Sequence, residues 1–192
     1  MSKLLIFVCF GFYMFLNIQN STAVSFENAA KAEPKYTEDG QLIRPDDYQT
    51  WVFVGASIGM SYSEEVRREG PGTFGNVYIV PGAYKHYLRT GKFAEKTMLV
   101  LVHYEPGTDE SINRHGYFEG KMTGLSVALK DHDTFEEGWA YFSFSNGDGP
   151  LKRTAKAFPK EACYSCHVQH AADDNVFVQF YPILRGSTTP GD

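Results

Sequence analysis

The sequence predicts an α+β fold that is mainly β, an antiparallel sheet of about five strands with a few helices, the C-terminal one carrying a pair of cysteines. Two observations carry this. Short runs rich in β-branched and aromatic residues follow one another with hairpin-like spacing, separated by clusters of Gly, Pro, Asn and Asp. Helical patterns are short and fall either between strands or near the end of the chain. Consecutive hairpins favour an antiparallel sheet with one buried face, and that face together with the late helices can shelter a flat ligand.

In chain order, a short helix capped near Asp46 leads into a strand at Trp51–Val54, and a second strand covers Phe74–Val80, closed by Pro81 and Gly82. A helix fits residues 81–90, with proline at its start and Gly91 as its stop. Thr97–Tyr104 (TMLVLVHY) is strongly β in composition, residues 116–129 hold a strand interrupted by glycines, and Trp139–Phe144 forms another, ended by Asn146–Gly147–Asp148–Gly149. Two further helices are expected, at about 150–157 and around 160–171. The run Ser63–Gly72 reads as a solvated loop or short helix with no chemistry.

The N-terminus has the composition of an export signal. Lys3 precedes an almost wholly apolar run over residues 4–16, and small residues follow up to Ala23, a suitable cleavage point. The run is shorter than the roughly 20 apolar residues that a spanning helix needs. Residues 1–23 are therefore expected to leave as a signal peptide, taking Cys9 with them, and the mature protein to be exported with no membrane segment. Residues 24–36 read as a mobile leader, 37–185 as one domain and 186–192 as a tail. The formal net charge is −5; this mild acidity argues against a nucleic-acid partner, which usually requires a basic stripe.

Of the three cysteines, the remaining two stand in Cys163–Tyr164–Ser165–Cys166–His167. Two thiols spaced by one helical turn can reach the two vinyl groups of a single porphyrin, and the following histidine is then held under the ring, where its imidazole meets the iron. This is the attachment pattern of haem c, with Cys163, Cys166 and His167 as cofactor-binding residues and His167 as the iron ligand. Three other readings stay open on the residues alone. A zinc site would want four ligands and finds only His167 and His170 to add. A thioredoxin-like redox pair would sit beside a βαβ pattern that is missing. A disulfide would leave the histidine unexplained.

The order of segments resembles the cytochrome P-460 and cytochrome c′-β family. The resemblance is carried by Asp47–Gly55 (DYQTWVFVG), Asn76–Pro81 (NVYIVP), Tyr84–Phe93 (YKHYLRTGKF), Gly116–Phe118, Trp139–Phe142, the cysteine motif in its late position, and Phe180–Arg185 (FYPILR). It implies a periplasmic, mostly β, homodimeric protein with one haem c per chain, whose iron has one face open to small ligands. It also implies a division. Cytochrome P-460 proper carries a lysine bonded to the porphyrin edge and oxidises hydroxylamine, whereas cytochrome c′-β lacks that bond and binds gases such as nitric oxide in an apolar pocket. The position of that lysine falls near Leu101, on a strand without lysine; Lys96 stands just before it and Lys121 lies beyond a loop. The resemblance therefore favours the gas-binding kind, with a hydroxylamine-oxidising enzyme or a low-spin electron-transfer cytochrome, served by a redox partner protein, as alternatives.

Phe74, Leu101 and His103 are the candidates for the distal pocket. His103 could act as a distal ligand or proton relay, although a histidine in a half-buried strand is more often structural. Met60, Met98 and Met122 are possible sixth ligands, Arg153 and Arg185 possible partners of haem propionates, Phe118, Phe142 and Phe144 possible lining, and Glu119, Glu136 and Glu137 the only acids to consider as distal proton acceptors. His170 is expected to face solvent or the propionate side.

Overall fold

Two sheets and three short helices organise the described residues. The structure, a computed structural model, describes residues 32–62 and 70–185. The expected signal peptide, the leader as far as residue 31, the core of the Ser63–Gly72 run and the tail over 186–192 lie outside the described residues. Among the described residues, no helix is long and apolar enough to cross a membrane.

The strands are β1 (Leu42–Ile43), β2 (Val52–Ile58), β3 (Phe74–Ile79), β4 (Met98–Gly107), β5 (Phe118–Lys130), β6 (Trp139–Ser143) and β7 (Thr154–Ala155). The helices are α1 (Pro81–Thr90), α2 (Tyr164–His170) and α3 (Pro182–Arg185), with 3-10 turns at Tyr48–Thr50 and Val178–Phe180. Strands β2 to β6 form one antiparallel sheet in sequence order, the meander that the consecutive apolar runs predict, and β1 pairs with β7 in a second small sheet. β4 lies at the centre of the main sheet, and Val100 and Val102 there are fully buried. This is why its sequence reads as a nearly continuous apolar run rather than a clean alternation.

α1 starts at Pro81, whose fixed φ suits the first helical position and whose missing N–H costs nothing there. It stops at Gly91, which takes the left-handed conformation (φ 65°) and donates its N–H to Tyr87 O at 2.8 Å. Ala83 and Tyr87, one turn apart, form its buried side.

Two expectations change. The helix expected at about 150–157 is absent: Thr154–Ala155 is strand β7, paired with Leu42–Ile43 more than 100 residues earlier. That pairing is long-range, so no local pattern announces it. The helix expected over 160–171 is confined to Tyr164–His170, because Cys163 sits at φ −131°, outside helical space, and acts as its cap. α2 is also not the last element, since the 3-10 turn and α3 follow it. The end of the expected leader is tied to the domain: Ile43 N–H donates to Lys35 O at 2.7 Å and Tyr36 Oη donates to Asp131 at 3.1 Å.

Register decides which side chains share a face of the main sheet. Val77, Leu101 and Ser126 lie in one row across β3, β4 and β5, and Gly75, His103 and Gly124 in the next row on the same face. This face is covered by the C-terminal elements: a Cβ on Gly55 would come within 3.1 Å of Phe180 O and 3.2 Å of Tyr181 Cδ1. The opposite face receives the Tyr48–Thr50 turn, where the rings of Tyr48 and Tyr78 meet edge to face at 5.7 Å.

Candidate functional site

The motif is built on one turn. Cys163 caps α2, half-buried, and Cys166 lies three residues on, exposed; both are free thiols. Positions i and i+3 of a helix face the same way, so the two sulfurs are set for a single planar partner. Burial, with the neighbouring Cys166 second, raises the pKa of the Cys163 thiol.

His167 is half-buried and its orientation is fixed by the backbone. Its Nδ1–H donates to the carbonyl of Asn175 at 2.8 Å. Its ring lies 4.1 Å from that of Tyr141 on β6 and 4.6 Å from that of Phe177. Burial lowers the histidine's pKa, partly offset by the Asn175 bond, so the imidazole is neutral near pH 7. With Nδ1 committed as donor, the lone pair of the neutral ring resides on Nε2, the arrangement in which histidine ligates a metal.

Asn175 is itself held. Tyr141 Oη donates to the same carbonyl at 3.3 Å. Burial, followed by Cys163, drives the Tyr141 phenol well above its ordinary pKa, which keeps it protonated as a donor.

His167 and Cys163 line a cavity of about 240 Å³ whose other wall is the sheet face bearing Val77, Leu99, Leu101, Ser126 and Ala128. Its lining is chiefly apolar side chains and aromatic rings. A more voluminous hollow, about 560 Å³, is lined by Arg44, Asp46, Trp51, Met98 and Arg153, but it contains no residue of the motif. The chemistry follows the smaller cavity, where thiol, imidazole and apolar wall converge. These residues fit a haem held by two thioethers: paired free thiols, an imidazole pre-oriented through Nδ1, and a largely apolar chamber with small side chains opposite.

The structure brings Leu101 to the site and puts His103 beside it. Two residues on along β4, His103 is about 6.7 Å further on the same face. Its ring stands across the strands between two glycines: Cβ atoms on Gly75 and Gly124 would lie 3.9 Å from its Nδ1 and 3.7 Å from its Cδ2. The Cε1–Nε2 edge therefore points away from the sheet. Burial lowers its pKa, so this imidazole too is neutral near pH 7.

Phe74 is not brought there. It pairs with Tyr104, in the row beyond Gly75 and His103, and the alternation turns it to the opposite face. Met98 and Met122 fall on that opposite face as well, through their pairing with Leu129 and Tyr104, and Met60 is exposed. Phe142, buried, lines the cavity as expected, whereas Phe144 is a core residue away from it and Phe118 is exposed. Glu119 accepts from Asn76 Nδ2 at 2.6 Å and Glu137 pairs with Lys160 at 3.1 Å; neither these nor Glu136 lines the cavity. Arg153 pairs with Asp46 at the other hollow, and Arg185 and His170 are exposed. Lys96 is engaged by Asp131 and by Asp133 at 3.1 Å. It stands five residues before Leu101, ahead of the start of β4 and with left-handed backbone (φ 63°).

Sequence reasoning missed Asn175, Tyr141 and Phe177. The available signal for the first was Asp173–Asp174–Asn175, three turn-forming residues shortly after the motif, of a type that tolerates left-handed backbone.

The family model described as Cytochrome P460 matches residues 45–178, well over half of the 192-residue chain and including the whole cysteine motif. No protein of curated function matches the chain.

Proposed function

The chain belongs to the cytochrome P460 family, and on that premise we propose that it is a c-type cytochrome with one haem per chain. Cys163 and Cys166 would hold the haem through thioethers, and His167 would ligate the iron through Nε2. Of the two kinds in the family, it is the cytochrome c′-β kind: a binder of small gaseous ligands such as nitric oxide rather than a hydroxylamine oxidase. Bound haem would supply a redox-active iron able to take a small exogenous ligand.

The observation that supports this reading is an oriented His167 facing a cavity wall without lysine, on which Leu101 stands, the residue near which the resemblance puts the cross-linking lysine. The chain's own residues then have defined tasks. Asn175 fixes the tautomer of His167, Tyr141 and Phe177 hold the plane of its ring, and Leu101 with Val77 and Leu99 keeps water from the opposite wall. Diatomic gases need little hydrogen-bond help to bind ferrous iron, so an apolar wall suits them, whereas hydroxylamine oxidation requires proton acceptors. Glu119, Glu136 and Glu137, the acids considered for that task, do not line the cavity.

Export to the periplasm, a homodimer and a redox partner protein complete the proposal; they follow from the apolar N-terminal run and the resemblance of segment order. The absorption spectrum of the reduced protein tests the whole reading. A high-spin haem c spectrum that changes on adding nitric oxide supports it. A red-shifted Soret band signifies a lysine cross-link and the enzyme, and a low-spin spectrum signifies an electron carrier; either overturns it.

A further inference from the structure

The grip on the Asn175 carbonyl reaches well beyond the cavity. Asp174 and Asn175 both occupy left-handed backbone, at φ 42° and 61°, a region that Asp and Asn enter more readily than other non-glycine residues. The side chains of Asp174 and of the preceding Asp173 tie this turn to the rest of the fold. Asp174 accepts from Lys130 Nζ on β5 at 2.7 Å through Oδ2, and from Trp139 Nε1 on β6 at 3.1 Å through Oδ1. Lys130 Nζ also donates to Phe93 O at 3.0 Å, which fixes the cation itself. Next door, Tyr87 Oη on α1 donates to Asp173 at 2.8 Å. Trp139 and Tyr87 are buried, and Phe93 packs between their rings, at 6.0 Å and 4.3 Å. One carboxylate, gripped at both oxygens by two adjacent strands, thus fixes the residue directly before the one whose carbonyl orients His167.

We infer that Asp174 is a positioning residue for the iron ligand. Held between Lys130 and Trp139, it presses the Asn175 carbonyl against His167 Nδ1–H and so sets how strongly Nε2 donates to iron. The inference rests on the haem reading above. The physical link is that a hydrogen bond accepted from one ring nitrogen raises the basicity of the other, and second-shell partners of ligating histidines act in this way. A carbonyl freed to swing away weakens that bond, and with it the iron–imidazole bond.

The test is resonance Raman spectroscopy of the ferrous, haem-loaded full chain, read at the iron–imidazole stretch. Asp174→Ala and Lys130→Ala are expected to carry thioether-linked haem yet show a stretch that is broadened and moved to lower frequency, with Lys130→Arg restoring much of the wild-type value. Asp174→Asn, which keeps the Trp139 bond and loses the ion pair, gives an intermediate shift and carries the test if Asp174→Ala fails to accumulate. A wild-type stretch in haem-loaded Asp174→Asn and Lys130→Ala overturns the inference while leaving the haem reading intact. A wild-type protein with no covalent haem, or with a stretch unchanged by His167→Ala, overturns the haem reading and the inference with it.

Discussion

The carbonyl of Asn175 lies 2.8 Å from Nδ1 of His167, and this single contact fixes which nitrogen of the imidazole is free. It connects a motif legible in the sequence to a backbone atom that is not. The first expected outcome follows from it. His167→Ala keeps the thioether-linked haem but loses the native ferrous spectrum, and added imidazole restores part of it. His103→Ala leaves the resting spectrum nearly unchanged. The opposite pattern in the two variants would move the ligand assignment to His103.

Covalent attachment depends on the two thiols that flank one turn of α2. Cys163→Ala combined with Cys166→Ala abolishes haem that survives denaturation and acid-acetone extraction. Covalent haem persisting in that double variant would refute the assignment of both residues.

The lysine-free wall around Leu101 sets the third expectation. Intact mass equals the processed chain plus one ordinary haem c, and peptide mapping finds haem only on the peptide containing Cys163 to His167. The ferrous protein binds nitric oxide, and hydroxylamine is turned over slowly or not at all. A haem peptide linked through Lys96 would reverse this. The ion pairs of Lys96 with Asp131 and Asp133, and its place outside the strand that bears Leu101, make that outcome unexpected.

His103 supplies a dependence on pH. Burial lowers its pKa below the usual 6.5, so the unfolded chain takes up a proton that the folded chain refuses as the pH falls. The stability conferred by this neutral imidazole is complete above pH 6.5 and is lost as pH drops below it towards the folded-state value. Denaturant midpoints measured from pH 8 to pH 5.5 should therefore fall less steeply in His103→Gln than in wild type. Parallel slopes would show that His103 is not the group responsible.

Asp131 is a stability prediction away from the site. Its carboxylate is almost fully buried and receives Lys96, Tyr36 Oη at 3.1 Å, and Thr134 through both its hydroxyl (2.9 Å) and its N–H (3.2 Å). Removing one member of such a network strands the others, at a cost of about 3–5 kcal/mol. Asp131→Ala should lower the unfolding free energy obtained from denaturant titration by that amount, and a loss under about 1 kcal/mol would mean that the Tyr36 end of the chain is not docked in solution.

The sequence by itself determined the strand meander, α1 and the grouping of Cys163, Cys166 and His167 on one turn. These are local: β-rich runs declare strands, Pro81 and Gly91 bound a helix, and Cys163, Cys166 and His167 are brought together by a single turn whatever the rest of the chain does. Only the tertiary structure decided the walls around them. A strand alternates with period two, so one residue of register separates Leu101 on the site face from Val100 in the core, and bulges such as that between Phe53 and Gly55 shift the count unseen. Phe74 fell on the wrong side for this reason. The pairing of Thr154–Ala155 with Leu42–Ile43 and the meeting of Asp174 with Lys130 and Trp139 join segments far apart in the chain. The contact that orients His167 comes from a peptide carbonyl, a group every residue carries, so its role arises from where the fold places it and leaves no mark in the side-chain sequence.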